Sequence, residues 1–246
     1  MREILSDLVA EQQTLDQFLQ KIHIRDWKLS TSEGWNIQDT VSHLAAMEGY
    51  ADNAISGGGS RLGEIDQYDS LEAFYEAGAE AGRGMRPQDV IEVWRENRAK
   101  VVDALSRMAA TDRIPWFRGD MSAKTFATSR LAETWAHAID IHGAVESEPE
   151  DTDRLRHIAW LAWKNLPYQF GRAGEEYTAP IRVQVMGPMY ARWVSGPEDT
   201  DEVIKGPAGP FCRLAVGRAS ATAVAEEMTV TGEMAARALE LVRITI

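Results

Sequence analysis

Through the first 145 residues the apolar side chains recur every three or four positions over stretches too long for strands, and beyond Pro180 that rhythm gives way to short alternating runs. Such a change of period constrains the fold more than any other feature of the chain. It predicts a helical domain over residues 1–149 and a smaller mixed domain over 150–246, joined by the acidic Glu146-to-Asp153 stretch with its Pro149. In the first part Ile4, Leu8, Leu15, Phe18, Leu19 and Ile22 mark one helix, followed by a polar turn over 29–35. A second helix starts near Asn36, buries Ile37, Val41, Leu44, Ala45, Met47 and Ala51, and stops before Gly57-Gly58-Gly59. A short helical piece covers 71–82. Pro87 opens a third long helix through Trp94, Val101 and Leu105, and a fourth runs from Ser122 or Lys124 to Val145. Four long helices with short joints predict an antiparallel four-helix bundle.

The second part is expected to be α+β. A helix from Thr152 or Asp153 to about Phe170 precedes strands at 180–186, about 190–195 and about 201–205, and helices near 207–216 and 232–242 close the chain. That order predicts helices packed on a small antiparallel sheet. Between Gly57 and Tyr68 lies a polar, glycine-rich segment, readable as a surface loop or as a flap over a site.

With 38 acidic against 26 basic side chains the formal charge is −12 at pH 7, so nucleic acid and anionic membranes repel the chain and a small-molecule partner is expected. Cys212 is the only cysteine, which excludes an intrachain disulfide and a cysteine-based zinc site and points to the reducing cytoplasm. No run reaches the ~20 apolar residues of a spanning helix, and Met1 to Phe18 lacks the uninterrupted apolar core of a signal peptide. A soluble protein is expected.

Two separated stretches carry chemistry. Glu133 and His137 stand four apart on the fourth long helix, so both project from one face about a turn apart. If His43, on the second helix, faces them across a bundle, the three form an N2O set for a divalent ion with at least one coordination position open, which suits zinc and catalysis. The bland alternatives are a hydrogen bond on the helix surface for the Glu-His pair and a hydrogen-bonded core histidine for His43. Asp140, three residues after His137, can accept from its ring or pack on a neighbouring helix. His142 is turned roughly 140° away from His137, and His23 and His157 read as structural. Trp35 reads as a staple at the start of the second helix, and Asp39 as support for its N-terminus. Trp116, Phe117 and Met121 serve either core packing or an apolar pocket.

The segment Gly34-Trp35-Asn36-Ile37-Gln38-Asp39-Thr40-Val41-Ser42-His43-Leu44, with Arg130-Leu131-Ala132-Glu133-Thr134-Trp135-Ala136-His137-Ala138-Ile139-Asp140 far behind it, resembles the mycothiol-dependent maleylpyruvate isomerase family. That family lies within the DinB/YfiT-like metalloprotein superfamily, and the chain looks most like a less characterised actinobacterial branch of it. The resemblance covers nearly the whole length. It implies a DinB-like four-helix domain that binds a divalent metal, most simply zinc, through His43, Glu133 and His137, followed by a smaller α+β domain. It also implies mycothiol as the low-molecular-weight thiol. The activity it implies is a thiol-dependent isomerase or S-transferase on a small electrophile bearing a carboxylate. Gly217-Arg218 resembles the segment from which the family draws a catalytic arginine, so Arg218 is the residue implied for that carboxylate. Cys212-Arg213-Leu214 departs from the tryptophan-containing segment of many relatives, so the substrate pocket has room to differ. Because one fold hosts many chemistries, a metal-dependent hydrolase or cyclase and a metal-binding protein without turnover stay open as alternatives.

Overall fold

The computed structural model describes residues 1–31 and 34–244, so part of the polar turn expected at 29–35 lies outside the described residues. The chain is α+β and divides into two compact units, Met1–Pro149 and Glu150–Ile246.

Among the described residues of the first unit five α-helices follow one another: α1 (Arg2–Leu19), α2 (Ile37–Ser56), α3 (Leu71–Glu80), α4 (Pro87–Ser106) and α5 (Ala123–Ala144). The starts of α2 to α5 have local causes. Asn36 and Asp39 form a reciprocal capping box on α2, Ser70 and Ser122 accept from the third backbone N–H of α3 and α5, and Pro87 opens α4 where its missing N–H is harmless. Helix α2 packs on α4, α3 and α5, and α1 packs on α5 and α4. Leu15, Leu19, Trp27, Val41, Leu44, Val90, Trp94 and Ile141 meet in the core between them. At roughly 25 cal/mol per Å² of apolar surface removed from water, such burial dominates the stability of the unit.

Helix α3 packs on α2 through small residues that face each other. A Cβ on Gly78 would meet Ala46 Cβ at 3.1 Å, and Ser42 Oγ donates to the Gly78 carbonyl at 2.7 Å. Helix α5 is not amphipathic in the way its neighbours are: from Phe126 to Ala138 every residue is buried. Its run of Ala, Thr and Ser lets helices and a short hairpin, β1 (Arg113–Ile114) with β2 (Met121–Ser122), close around it. The 57–68 segment is turns plus a 3-10 stretch at Leu62–Gln67.

In the second unit the expected long helix is broken into α6 (Leu155–Lys164) and α7 (Leu166–Arg172), because Pro167 has no N–H to continue the ladder and its ring restarts the helix. The sheet corrects a second expectation. Its order is β4 (Arg192–Ser195), β3 (Arg182–Met186), β5 (Val203–Pro207), β6 (Thr229–Thr231), and β3 runs parallel to β5 while the outer pairs are antiparallel. The chain crosses from β4 to the far side of β3 at Gly196, where φ is +99° and a Cβ would lie 2.3 Å from the Ile181 carbonyl oxygen, so only glycine fits. Helices α8 (Ala208–Ala215) and α10 (Glu233–Leu241) pack on the sheet, with the single turn α9 (Ala221–Val224) between them. Strand β6 and α9 are too short for periodicity to announce them. Among the described residues no helix is long and apolar enough to cross a membrane.

Candidate metal centre

Helices α2 and α5 bring His43, Glu133 and His137 together inside the first unit: one donor atom from each lies within 4.8 Å of the other two, and all three residues are buried. His43 Nε2 stands 3.3 Å from Glu133 Oε1, and the two imidazole rings are 5.1 Å apart, edge to face. Two ligands at about 2.0–2.1 Å from a tetrahedral zinc ion are separated by about 3.3–3.4 Å, so this pair already stands at coordination spacing. Glu133 and His137 come from consecutive turns of α5, and His43 from the middle of α2.

The surroundings set the charge states. Burial holds the His43 imidazole below its usual value, with Glu133 opposing, so a neutral ring is presented. Burial pushes the Glu133 carboxyl up, but the Arg130 guanidinium and the hydrogen bond with His43 outweigh it and bring it down to about 2. Glu133 is therefore a carboxylate. Arg130, one turn before it on α5, is 1% exposed, forms an ion pair with Glu133 Oε2, and lies 4.9 Å from the Trp116 ring centroid and 5.6 Å from that of Phe126. On the other side, His137 Nδ1 is 3.1 Å from Asp140 Oδ2. A ring that gives its Nδ1 proton to a carboxylate offers Nε2 as the ligand, the usual support of a metal-bound histidine.

His43 lacks such a partner. Its Nδ1 is buried without a hydrogen bond, and Glu133 Oε2, despite its ion pair, also has no aligned hydrogen bond. Rings confine His43 instead: Trp35 at 4.9 Å and Tyr75 at 5.2 Å. Two buried imidazoles and a carboxylate, with His43 Nε2 and Glu133 Oε1 already at ligand spacing, are a donor set that a divalent ion fits.

Other histidines stay out of the site. His142 stacks on Phe18 at 3.6 Å and approaches Ser147, His23 caps the 3-10 turn at Ile24–Lys28, and His157 is buried in the second unit. Trp35 is no staple, because it faces His43 and donates Nε1 to Glu76 Oε2 at 2.6 Å. Asp39 supports the α2 N-terminus as expected and also receives Arg83 Nε at 3.0 Å, which ties the start of α2 to the turn after α3. Trp116 and Phe117 pack among Tyr50, Phe74 and Phe126. Arg218 belongs to the second unit, where its Nη1 donates to the Val216 carbonyl at 3.1 Å, and Cys212 is buried there with its thiol pushed well up by burial.

Sequence reasoning gave no role to Arg130, Glu48 or Tyr75. Arg130 was within reach, since a cation three positions before a buried carboxylate shares its helix face. Tyr75 comes near through the packing of α3 on α2, and Glu48 through the packing of α2 on α5, where it faces Arg130 and Glu133. Burial pushes Glu48 up to about 7 against the pull of Arg130, and Gln12 Nε2 approaches its Oε1 at 3.4 Å.

A comparison of sequences settles the kinship: the profile of the mycothiol maleylpyruvate isomerase N-terminal domain matches residues 8–142, over half of the chain and a span that includes His43, Glu133 and His137. The chain belongs to that family. Two uncharacterized proteins of Mycobacterium tuberculosis, from strains CDC 1551 and H37Rv, are each 28% identical to it over 243 residues that cover 96% of this chain and 93% of theirs. Two crystal structures share the fold. That of the mycothiol-dependent maleylpyruvate isomerase carrying a histidine-to-alanine mutation aligns with a TM-score of 0.59 at 18% identity, covering 93% of this chain and 91% of the other. A second structure of that isomerase gives 0.58 at 19% identity, covering 89% of each chain.

Proposed function

We propose that this protein is a metal-dependent enzyme that uses a low-molecular-weight thiol, mycothiol by family membership, to isomerise or S-conjugate a small electrophile. The observation that carries the reading is the buried convergence of His43, Glu133 and His137 from two helices, with one more coordination position available to such a three-residue set. We take the four long helices around it to be the antiparallel DinB-like bundle that the sequence pattern suggests, and zinc to be the ion that suits the donors best. When bound, a divalent ion at these residues supplies Lewis acidity that holds a thiol as thiolate at neutral pH.

The chain's own residues set the conditions for that chemistry. Asp140 fixes the tautomer of His137, and Arg130 keeps Glu133 ionised in a dry environment. Trp35 and Tyr75 cover His43 with aromatic surface, which keeps water from the imidazole. Cys212, buried with its thiol pushed up, is no nucleophile, so the thiol comes from outside the chain. Arg218 is the residue we assign to a substrate carboxylate, for which a guanidinium is the fitting bidentate partner.

Cobalt substitution tests the reading. Cobalt-loaded protein is expected to develop a sulfur-to-metal absorption band on addition of mycothiol, and His43→Ala to lack it. Arg218→Lys is expected to raise KM for a carboxylate substrate without altering that band. Metal binding with no thiol response returns the site to a hydrolase, a cyclase or a binding protein.

A further inference from the structure

His43 also borders a cavity of about 250 Å³ between α2, α3 and α4, to which the metal centre assigns no role. Its walls include Tyr50 of α2, Phe74, Tyr75 and Ala77 of α3, Asn97 of α4, and Arg61 and Tyr68 from the segment between α2 and α3. The aromatic rings brace one another: Phe74 lies 5.0 Å from Tyr50, 5.5 Å from Tyr68 and 5.8 Å from Tyr75, all tilted or edge to face. Ring packing of this kind leaves stiff walls suited to a flat ligand. A cavity of about 150 Å³ holds benzene, so this one admits a ring with substituents.

Charge decides which ring. Among the described residues the only cation in the lining is Arg61, and it is already engaged: Nε and Nη2 donate to the two oxygens of Glu64 at 2.8 and 3.1 Å, its guanidinium lies 4.5 Å from the Tyr50 ring centroid, and Tyr50 Oη donates to Glu64 Oε2 at 2.7 Å. Glu64 is three residues from Arg61, so it competes with any incoming anion at the advantage of an intramolecular partner. Burial raises the Tyr50 phenol to about 12, so it stays a neutral hydrogen-bonding group. Asn97 donates one amide proton to the Ala45 carbonyl at 2.9 Å and carries no charge. A carboxylate placed here would shed water and meet Glu64 rather than a free cation.

We propose that this cavity binds an uncharged, flat ring carrying hydroxyl or carbonyl groups, and that it holds the ring portion of the substrate beside the metal ligand His43. The assignment of the ring to a substrate rests on the metal-and-thiol reading above; the binding itself does not. A carboxylate elsewhere on the same molecule is then met outside the cavity.

Isothermal titration of the zinc-loaded full chain at pH 7 with 4-hydroxybenzyl alcohol and with 4-hydroxybenzoate tests this, because the two share a ring and differ in charge. Only heat that Ala77→Leu abolishes counts as cavity binding, and that substitution keeps helix propensity while filling the space. The alcohol is expected to bind at least about tenfold more tightly than the benzoate, and to lose its binding in Ala77→Leu with metal content unchanged. Tyr68→Ala, at a ring 38% exposed, is expected to weaken the alcohol severalfold and serves if Ala77→Leu does not fold. Equal or tighter cavity binding of the benzoate, no binding of the alcohol, or alcohol binding indifferent to these variants overturns the proposal. Failure of ring binding beside an intact mycothiol-dependent cobalt band defeats the cavity alone, whereas loss of the band with ring binding retained defeats the metal-and-thiol reading alone.

Discussion

On α5 the two proposed ligands arrive with their supports, Arg130 against the Glu133 carboxylate and Asp140 against the His137 ring, all within eleven residues of one helix. On α2, His43 stands with an unpartnered Nδ1 and is confined by the rings of Trp35 and Tyr75, which come from outside that helix. One side is organised by charge and hydrogen bonds at helical spacing, the other by packing. Charges at i, i+3 and i, i+4 hold a ligand before any ion arrives, whereas a ring wedged between aromatic faces keeps its place only while the neighbouring helix stays docked. The contrast teaches that α5 is the prepared half of the site and that α3 sets the other half.

The largest effect should come from breaking the charged side. Arg130→Met leaves Glu133 buried without its guanidinium and is expected to lower the stability of metal-free protein by about 3–5 kcal/mol, read from urea unfolding at pH 7. A loss under about 1 kcal/mol would mean that Arg130 does not compensate that carboxylate.

Glu48 gives a second, pH-dependent test of the same charge balance. Its carboxyl is raised to about 7 in the fold against a reference of 4.5, so the folded state keeps a proton that the unfolded state gives up. The stability this contributes is fully present below the unfolded value and is lost as pH rises through about 7. Glu48→Gln should therefore stabilise metal-free protein at pH 8 by roughly 2–3 kcal/mol relative to its effect at pH 4. A stability difference that does not change between pH 4 and pH 8 contradicts the sign.

A smaller effect compares the two halves directly. Asp140→Asn should weaken zinc affinity about 10- to 100-fold, as loss of an outer partner of a metal-bound histidine does, while Trp35→Phe should change it by under about threefold, since an aromatic face remains. Competition with a chromophoric chelator measures both, and equal effects would erase the distinction drawn between α5 and α2.

The same contrast explains what the sequence disclosed. The Glu133–His137 pair, its Asp140 neighbour and the long helices follow from periodicity, because each is a statement about one helix. That His43 faces the pair from α2 is a long-range fact, which helix position allowed only as a condition and the family resemblance made an expectation. Tyr75 acquires its position from the packing of α3 on α2, and Glu48 its surroundings from α5, α4 and α1, and no spacing within one element encodes that. In the second unit Pro167 was a legible break in a helix read as continuous. The parallel pairing of β3 with β5 was not legible, since alternation marks a strand without naming its neighbour.

The central claim is that His43, Glu133 and His137 hold one divalent ion. X-ray absorption on protein titrated with a single equivalent of zinc tests it most directly. The account predicts stoichiometric uptake with a first shell of nitrogen and oxygen at about 2.0–2.1 Å, two imidazoles in the outer scattering, and loss of one imidazole in His43→Ala. Substoichiometric binding, or a shell identical in the wild type and in His43→Ala, would contradict it.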